Sequence, residues 1–303
     1  MKTNISITVL MAAILITALS FVMPKNKEKY LGDMFWSRKT FAAPKFNVVV
    51  MGDSRVYRGV SPEIMDQHLN GLKVLNFGYS NGGLNSTMFK AALSKFNAKS
   101  KTKVLVLGVS ANAITDYTKN NDQYLQELTR PREEVLERIY LNPLLYWFSA
   151  TTPEKLKESF QPIDHSYYYL SNYHMNGYVE SDKFPADTTE AIASYEDDFN
   201  KYQVNENTLA TLFEQVHSLV QQGITVIAYR PPVSQPMREL EDSMGNYNEA
   251  LLQQRLENAG AHWISVNPNQ YKTYDGSHMD QPSAERFSRD LADSISLILR
   301  HFE

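Results

Sequence analysis

The chain has 303 residues and contains no cysteine. This absence excludes a catalytic thiol, cysteine-ligated zinc, disulfide bonds and a lipid anchor attached to cysteine. The chain also has little excess charge, because 30 Lys and Arg residues stand against 34 Asp and Glu residues, for a formal net charge of -4. Lys and Arg form no basic stripe, so nucleic acid is not an expected partner. Hydrophobic residues make up 43% of the chain, which is typical of a globular protein rather than a disordered one.

An uncharged, mostly apolar run lies near the N-terminus, from Ile5 to Met23. At a rise of about 1.5 Å per residue, a helix of this length just spans a hydrocarbon core. The run favours a transmembrane signal anchor within residues 1–24. The alternative is a cleaved signal peptide with Ala18 and Ser20 near the cut. Both interpretations predict export, with the remainder anchored on the periplasmic or extracellular face of the membrane, or secreted if the segment is cleaved.

Strand patterns alternate with helical patterns through residues 46–303. Continuous apolar, β-branched runs are typical of parallel strands that are covered on both faces. Such runs lie at Phe46–Met51, Val74–Phe77, Val104–Leu107, Ile224–Tyr229 and Trp263–Val266. Helical patterns lie at Leu84–Phe96, Glu206–Gln222, Arg238–Ala259 and Pro282–Phe302. The alternation predicts a flavodoxin-like three-layer α/β/α sandwich, with a central parallel sheet of about five strands in the order 2-1-3-4-5.

The alternation is interrupted between about residues 117 and 205, where no clear strand pattern occurs. We interpret this stretch as a mainly helical insertion in a domain that spans residues 46–303 and follows a linker at 25–45. The insertion is rich in tyrosine, and these side chains can either stack on sugar rings or pack the insertion against the core. They include Tyr167, Tyr168, Tyr169, Tyr173 and Tyr178.

A Gly-Asp-Ser tripeptide follows the first predicted strand. Gly52 allows the chain to turn sharply and places Ser54 at the carboxyl edge of the sheet, where parallel α/β proteins bind ligands. If a helix begins there, its free N–H groups can stabilise an oxyanion. Taken alone, the tripeptide is equally typical of an ordinary capped turn, in which Ser54 has no catalytic role.

A second polar motif, Asp-Gly-Ser-His at residues 275–278, follows the last predicted strand and precedes the last helix. Serine becomes a good nucleophile when a base removes its proton, and histidine can do so near neutral pH. The histidine in turn needs a carboxylate that fixes its orientation. Asp275 and His278 lie three residues apart in one turn and can supply both groups. The two motifs together predict a catalytic triad of Ser54, His278 and Asp275.

These motifs resemble the first and last blocks of the SGNH (GDSL-like) hydrolases. The resemblance covers about residues 46–116 and 206–303, and it implies a flavodoxin-like domain. It also implies that Ser54 is the nucleophile, that His278 is the base and that Asp275 is the partner of the base.

The resemblance further implies a set of oxyanion-hole donors. The N–H of Ser54 is one, and a glycine after the second strand is another; Gly82 is our choice, with Asn81 beside it. In this family an asparagine after the third strand usually supplies a third donor. Here Ser110 stands at that position and Asn112 lies two residues further on, so either side chain is a candidate.

The layout of an N-terminal apolar segment, a linker and an SGNH-like domain with a central insertion is similar to that of envelope-modifying proteins. Examples are the alginate O-acetylation proteins and the DltD protein of teichoic acid D-alanylation. The likeness implies an exported serine esterase or O-acyltransferase that acts on acyl esters, chiefly O-acetyl esters, of a cell-envelope or extracellular polysaccharide. It also implies a multi-spanning membrane acyltransferase as partner. Two alternatives stay open: a general carboxylesterase or lipase, and a non-catalytic scaffold that binds a polymer and recruits the membrane acyltransferase.

Three further signals have competing interpretations. Arg55 and Arg58 flank the nucleophile loop and either bind an anionic sugar or phosphate, or form ordinary surface ion pairs. The Gly-Val-Ser-Ala-Asn segment around Ser110 nearly matches the G-x-S-x-G elbow of α/β-hydrolases, which makes Ser110 a rival nucleophile. His165 and His174 lack a convincing set of partner ligands and no HExxH motif occurs, so we expect neither a metal nor another cofactor.

Overall fold

The computed structural model describes residues 2–22, 28–119, 122–148, 157 and 166–300. The strands are β1 (Val48–Gly52), β2 (Val74–Gly78), β3 (Val104–Gly108), β4 (Tyr168–His174), β5 (Tyr178–Phe184), β6 (Thr225–Tyr229) and β7 (His262–Ile264). Five of them form one parallel sheet in the order β2-β1-β3-β6-β7. The predicted α/β fold with a five-stranded parallel sheet is therefore confirmed, and so is its strand order.

Helices precede, separate and follow these strands. They are α1 (Lys2–Val22), α2 (Asp33–Thr40), α3 (Ser54–Gly59), α4 (Pro62–His68), α5 (Ser86–Leu93), α6 (Asp122–Leu128), α7 (Arg132–Leu136), α8 (Asn142–Phe148), α9 (Ile192–Phe199), α10 (Glu206–Gln221), α11 (Gln235–Ser243), α12 (Glu249–Asn258) and α13 (Gln281–Arg300). Across the described ranges, none of the helices combines the length and the apolar character that crossing a membrane requires. The transmembrane anchor predicted within residues 1–24 is thus not supported by the structure.

The sheet is covered on both faces because its strands are apolar on both sides. All five residues of β1 are buried, and successive side chains of a strand point to opposite faces. Val49 and Met51 belong to the core cluster that includes buried residues of α5, α10 and α12. Val48 and Val50 belong to the cluster that includes buried residues of α4 and α13. The carboxyl edge of the sheet therefore lies at the end of a core filled on both sides.

The helix predicted for Arg238–Ala259 is in fact two helices, α11 and α12. The chain leaves α11 at Met244 and passes through Asn246, which has a φ of 55°. The side chain of Asn248 then caps α12 by accepting a hydrogen bond from the N–H of Leu251 at 3.0 Å. Asparagine tolerates left-handed backbone and is a favourable N-cap, so a continuous helix is interrupted here.

The insertion contains an antiparallel hairpin, β4–β5, in a region where the sequence pattern predicted no strand. Gly177, in the turn between these strands, has a φ of 99°. A Cβ atom there would lie 1.9 Å from the carbonyl oxygen of Asn76, and the N–H of Asn76 donates to the carbonyl of Asn176 at 3.1 Å. The tip of the hairpin is therefore fixed against β2, and only glycine fits at its closest point.

Helix α2 lies within the predicted linker at residues 25–45 but packs against the domain. This part of the segment therefore belongs to the domain. Phe35 is 1% exposed, and Lys39 is equally buried. The Nζ of Lys39 donates to the carbonyl of Gly177 at 3.0 Å. It also lies 5.1 to 5.4 Å from the ring centroids of Phe35, Trp36, Tyr57 and Tyr79. Burial lowers the pKa of Lys39 well below its ordinary value, since desolvation disfavours the ammonium form.

Candidate active site

Ser54 lies two residues after the last residue of β1 and is the first residue of helix α3. The preceding turn is tightly packed, since a Cβ atom on Gly52 would lie 2.5 Å from a methyl group of Val56. The carboxylate of Asp53 caps the helix by accepting a hydrogen bond from the N–H of Arg55 at 2.9 Å. This local sequence places the hydroxyl of Ser54 at the carboxyl edge of the sheet and its N–H in the first turn of a helix, where backbone donors are free.

Two segments that are 224 residues apart meet at Ser54. The Nε2 atom of His278 lies 2.8 Å from the Oγ of Ser54, and its Nδ1 atom lies 2.6 Å from a carboxylate oxygen of Asp275. The other oxygen of Asp275 accepts from the backbone N–H groups of Ser277 and His278, at 2.9 and 2.7 Å. The three side chains predicted as a triad therefore form one continuous hydrogen-bonded chain.

The groups around Asp275 favour its ionised form. Burial on its own would raise the pKa of this carboxyl group, but hydrogen bonds and the electrostatic interaction with His278, together with the backbone donors, hold the pKa below its ordinary value. An ionised carboxylate at Nδ1 favours the tautomer with the proton on that nitrogen. The Nε2 atom is then free to accept the proton of Ser54.

The loop that carries His278 is anchored on both sides. Tyr274 donates its N–H to the carbonyl of His278 at 3.0 Å, and its ring stacks on the imidazole with centroids 5.8 Å apart. Gly276 has a φ of 91°, and a Cβ atom there would lie 2.1 Å from the carbonyl oxygen of Thr188. The glycine between Asp275 and His278 is therefore required for the tight approach of the loop to its neighbour.

A buried ion-pair network connects the nucleophile helix to this loop. The Nε of Arg55 donates to the hydroxyl of Ser277 at 3.0 Å, and its Nη1 donates to the carboxylate of Glu241. Glu241 also accepts from Arg230 at 2.8 Å. Burial would raise the pKa of Glu241, but the two guanidinium groups hold it below its ordinary value. Arg55 is only 2% exposed, so its role is to position the loop. Both roles predicted for it from the sequence, substrate binding and a surface ion pair, are therefore wrong.

Replacing Glu241 with Gln is expected to lower the free energy of unfolding by about 3–5 kcal/mol, because two buried guanidinium groups lose their carboxylate. The pKa of Glu241 in the folded state is below its unfolded value of about 4.3. The ionised Glu241 therefore makes its full contribution to the free energy of unfolding above the unfolded-state pKa, and this contribution is lost as the pH falls through the folded-state pKa. The difference in free energy of unfolding between the wild type and the variant should thus become smaller in acid. Denaturant titrations followed by circular dichroism at pH 7 and at lower pH measure both effects.

Glu239→Gln is the matched control, since this carboxylate is exposed on the same helix and accepts a hydrogen bond from the exposed side chain of Gln235. Its effect should stay within about 0.5 kcal/mol. Equal stabilities of the Glu241 and Glu239 variants at pH 7 would contradict the role given to the network.

The two oxyanion donors predicted after β2 differ in availability. The N–H of Gly82 donates to the carbonyl of Tyr79 at 2.9 Å and is therefore committed within a turn. That turn lies against the end of β1, since a Cβ atom on Gly82 would lie 2.3 Å from the carbonyl oxygen of Gly52. Asn81 is exposed, and its side-chain amide lies 3.4 Å from the hydroxyl of Tyr117. Gly82 is thus not a free donor, whereas Asn81 remains a candidate.

The two donors predicted after β3 are both buried. The hydroxyl of Ser110 donates to Asp53 at 2.5 Å and accepts from the N–H of Ala113 at 3.2 Å. Ser110 therefore supports the residue that caps α3, and its hydroxyl is available neither to an oxyanion nor as a rival nucleophile. Asn112 is 3% exposed, and within the described ranges it makes no hydrogen bond to Ser54 or His278.

A cavity of about 190 Å³ opens beside the triad. It is lined by Arg58, Tyr167, Tyr169, Lys183, Glu190, Tyr274, Asp275 and His278. The hairpin β4–β5, which sequence analysis missed, supplies part of this wall. A larger cavity of about 490 Å³, lined mainly by the start of α5, the segment after β3 and the start of α10, includes none of the triad residues.

The histidines singled out as weak metal candidates have other positions. His174 lies in β4, with its Nε2 atom 3.3 Å from the carboxylate of Glu180. His165 lies outside the described residues. Within the described part of the chain, no three His, Asp or Glu side chains are grouped in a way that could hold a metal ion.

Comparison with known proteins adds little to this geometry. No protein-family model matches the chain, and no curated protein matches it either. One solved structure with a detectable likeness is described as a candidate platelet activating factor from Streptococcus pneumonia. The two chains are 12% identical and superpose with a TM-score of 0.39, over 96% of this chain and 99% of the other. A likeness at that level supports no conclusion about function.

Proposed function

We propose that this chain is a serine-dependent esterase or O-acyltransferase of the SGNH type, acting on acyl esters of an extracytoplasmic polysaccharide, chiefly O-acetyl esters. The observation that carries the proposal is the hydrogen-bonded chain from Asp275 through His278 to Ser54. It lies at the carboxyl edge of a parallel sheet, which is where folds of this kind bind ligands.

In the proposed reaction, the Oγ of Ser54 attacks the acyl carbonyl carbon while the Nε2 of His278 takes its proton. The N–H of Ser54, together with a donor near Asn81, stabilises the negative oxygen of the tetrahedral intermediate. The bond to the alcohol oxygen then breaks, and that oxygen receives the proton from His278, which leaves an acylated Ser54. Water in hydrolysis, or a sugar hydroxyl in transfer, then attacks the acyl carbon and gives its proton to His278. The bond between the acyl carbon and the Oγ of Ser54 breaks, the Oγ takes the proton back from His278, and the acid or the new sugar ester leaves.

Two further observations support the polysaccharide and the export parts of the proposal. Tyr167 and Tyr169 line the cavity beside the triad and are 57% and 48% exposed, so their ring faces are available to sugars. Export rests on the uncharged run from Ile5 to Met23. Alkaline phosphatase fused after the run should be active outside the cytoplasm if export occurs.

A fluorophosphonate probe tests the catalytic proposal directly. The folded chain should be labelled at Ser54, as mapped by peptide mass spectrometry, and should release acetate from an acetylated polysaccharide. Turnover of p-nitrophenyl acetate without any action on acetylated polysaccharide would favour the general carboxylesterase. Failure of the folded chain to react with the probe would favour the non-catalytic scaffold.

A further inference from the structure

We infer that the cavity beside the triad recognises an anionic sugar and that Arg58 binds its carboxylate or phosphate group. The inference rests on the proposed function and specifies its substrate. The observations that carry it are the partners of Arg58, the pairing of the other charges in the cavity, and the position of Arg58 relative to His278.

Among the described residues, the groups that hold Arg58 in place are neutral: hydroxyl groups and the ring of Tyr57, whose centroid lies 5.1 Å from the Cζ of Arg58. Its Nε donates to Tyr57 at 3.1 Å, and its Nη1 donates to Tyr169 and Ser181, both at 2.7 Å, and to Tyr274 at 3.3 Å. Its Nη2 has no hydrogen-bond partner within the described ranges and is not among the polar atoms sealed from solvent. One edge of the guanidinium is therefore fixed, and the remaining N–H groups are free to donate.

Several other buried or partly buried arginines of the described residues pair with carboxylates, whereas Arg38 donates to the backbone carbonyl of Ile139 at 3.3 Å. Arg55 and Arg230 share the carboxylate of Glu241, and Arg138 pairs with Glu127 at 3.3 Å. For Arg58, no carboxylate of the described residues lies within ion-pair distance. A partly buried guanidinium without a counter-ion is a site that favours an anion, since the planar fork binds carboxylate and phosphate oxygens in pairs.

The remaining charges of the cavity are already paired. Lys183 forms an ion pair with Glu190, and Asp275 accepts the hydrogen bond of His278. Arg58 is therefore the cation of this cavity that is left to bind a ligand, as far as the described side chains go. A neutral substrate would leave Arg58 without a counter-ion, whereas an anionic substrate would supply one.

The position of Arg58 fits an anion carried by the same sugar as the ester, or by its neighbour. The hydroxyl of Tyr274 accepts from Arg58, and the ring of Tyr274 stacks on His278, so one aromatic ring separates the cation from the base. Tyr169 offers an exposed ring at the same place. A charged group, an aromatic face and the reacting hydroxyl thus lie within the span of a short saccharide.

The test uses the methyl glycoside of O-acetylated glucuronic acid, which carries a carboxylate, and its uncharged methyl ester, and it measures released acetate so that cleavage of the methyl ester is not counted. The wild-type chain should hydrolyse the acid with a kcat/KM at least about tenfold above that of the methyl ester, as expected for one charge-assisted pair. Arg58→Gln should bring this ratio close to one, and Arg58→Lys should retain part of it. Arg289→Gln, which removes a charge from an exposed position of α13, should leave the ratio unchanged.

Binding to a Ser54→Ala variant separates this inference from the proposed function. Calorimetric titration uses glucuronate, glucose 6-phosphate and glucose. At least one of the two anions should bind more tightly than glucose. The anion that binds more tightly shows whether Arg58 recognises a carboxylate or a phosphate group. If the Ser54→Ala variant binds an anion but the wild-type chain has no esterase activity, the proposed reaction is overturned and the inferred anion site still stands. Equal turnover of acid and methyl ester, or equal binding of glucose and both anions, would overturn the anion site and leave the reaction.

Discussion

Replacing Ser54 with Ala is expected to lower kcat for ester hydrolysis by roughly 10⁴- to 10⁶-fold, the range seen when a serine hydrolase loses its nucleophile. The Oγ of Ser54 is the atom that would carry the acyl group in the intermediate. Direct attack of water on the substrate, assisted by His278, would be a much slower reaction. The backbone N–H of residue 54 remains, so stabilisation of the oxyanion persists and sets the residual rate. Steady-state hydrolysis of p-nitrophenyl acetate measures the loss, and fluorophosphonate labelling of the same variant should disappear.

Ser110→Ala is the matched comparison, because it removes a hydroxyl that also follows a buried strand. Ser110 donates to Asp53, so its loss should lower the free energy of unfolding by about 1–3 kcal/mol while leaving part of the turnover and the labelling at Ser54. Loss of labelling in the Ser110 variant, with labelling retained in the Ser54 variant, would transfer the nucleophile to Ser110 and refute the assignment.

The central sheet was predictable because its strands carry a signal that does not depend on their partners. β1 and β3 are continuous apolar runs, and such runs suit strands covered on both faces. Right-handed crossovers then limit the possible strand orders. Because every pairing in the sheet is parallel, the carboxyl ends of β1 and β7 lie at the same edge. The meeting of Ser54 with His278 follows from this topology and from the position of each motif after a strand.

The hairpin β4–β5 has a sequence signal of another kind, which apolar periodicity does not reveal. Its strands are polar and rich in tyrosine, so neither gives the apolar run of a buried strand. Asn176 and Gly177 lie between them, and an Asn-Gly pair flanked by β-prone residues is a strong local indication of a hairpin. The missed element matters, since Tyr169 and Lys183 on this hairpin form part of the cavity beside His278.

The ion-pair network had no comparable signal in the sequence. Arg55 lies 186 residues from Glu241 and 222 residues from Ser277, and charged side chains show no periodicity that reveals burial. The sequence therefore gives no reason to separate Arg55 from Arg58, and both are predicted as cations that flank the nucleophile loop. The two are in fact opposites, since one is closed off by a buried carboxylate and the other faces the cavity with free N–H groups. Only the packing of α11 against the nucleophile loop distinguishes them.

Replacing Asp275 with Asn is expected to lower kcat by about 10⁴-fold at neutral pH, because the hydrogen bonds of this loop would then favour the wrong tautomer of His278. One oxygen of Asp275 accepts from the N–H groups of Ser277 and His278. In the variant, the amide oxygen keeps those bonds, so the NH₂ group faces the Nδ1 of His278. The imidazole must then carry its proton on Nε2, where it donates to Ser54 and cannot remove the proton of the hydroxyl.

Asp280→Asn supplies the control for charge and for folding. The carboxylate of Asp280 accepts from the N–H of Ser283 at 2.9 Å at the start of α13, and asparagine caps a helix about as well as aspartate. This variant loses the same charge five residues away without touching His278, so its kcat should stay within a few-fold of the wild type. The ring ¹⁵N shifts of His278 should report a change of tautomer in the Asp275 variant alone. If kcat fell equally in both variants, or the Asp275 variant kept its activity with the original tautomer, Asp275 would not be the group that orients the base.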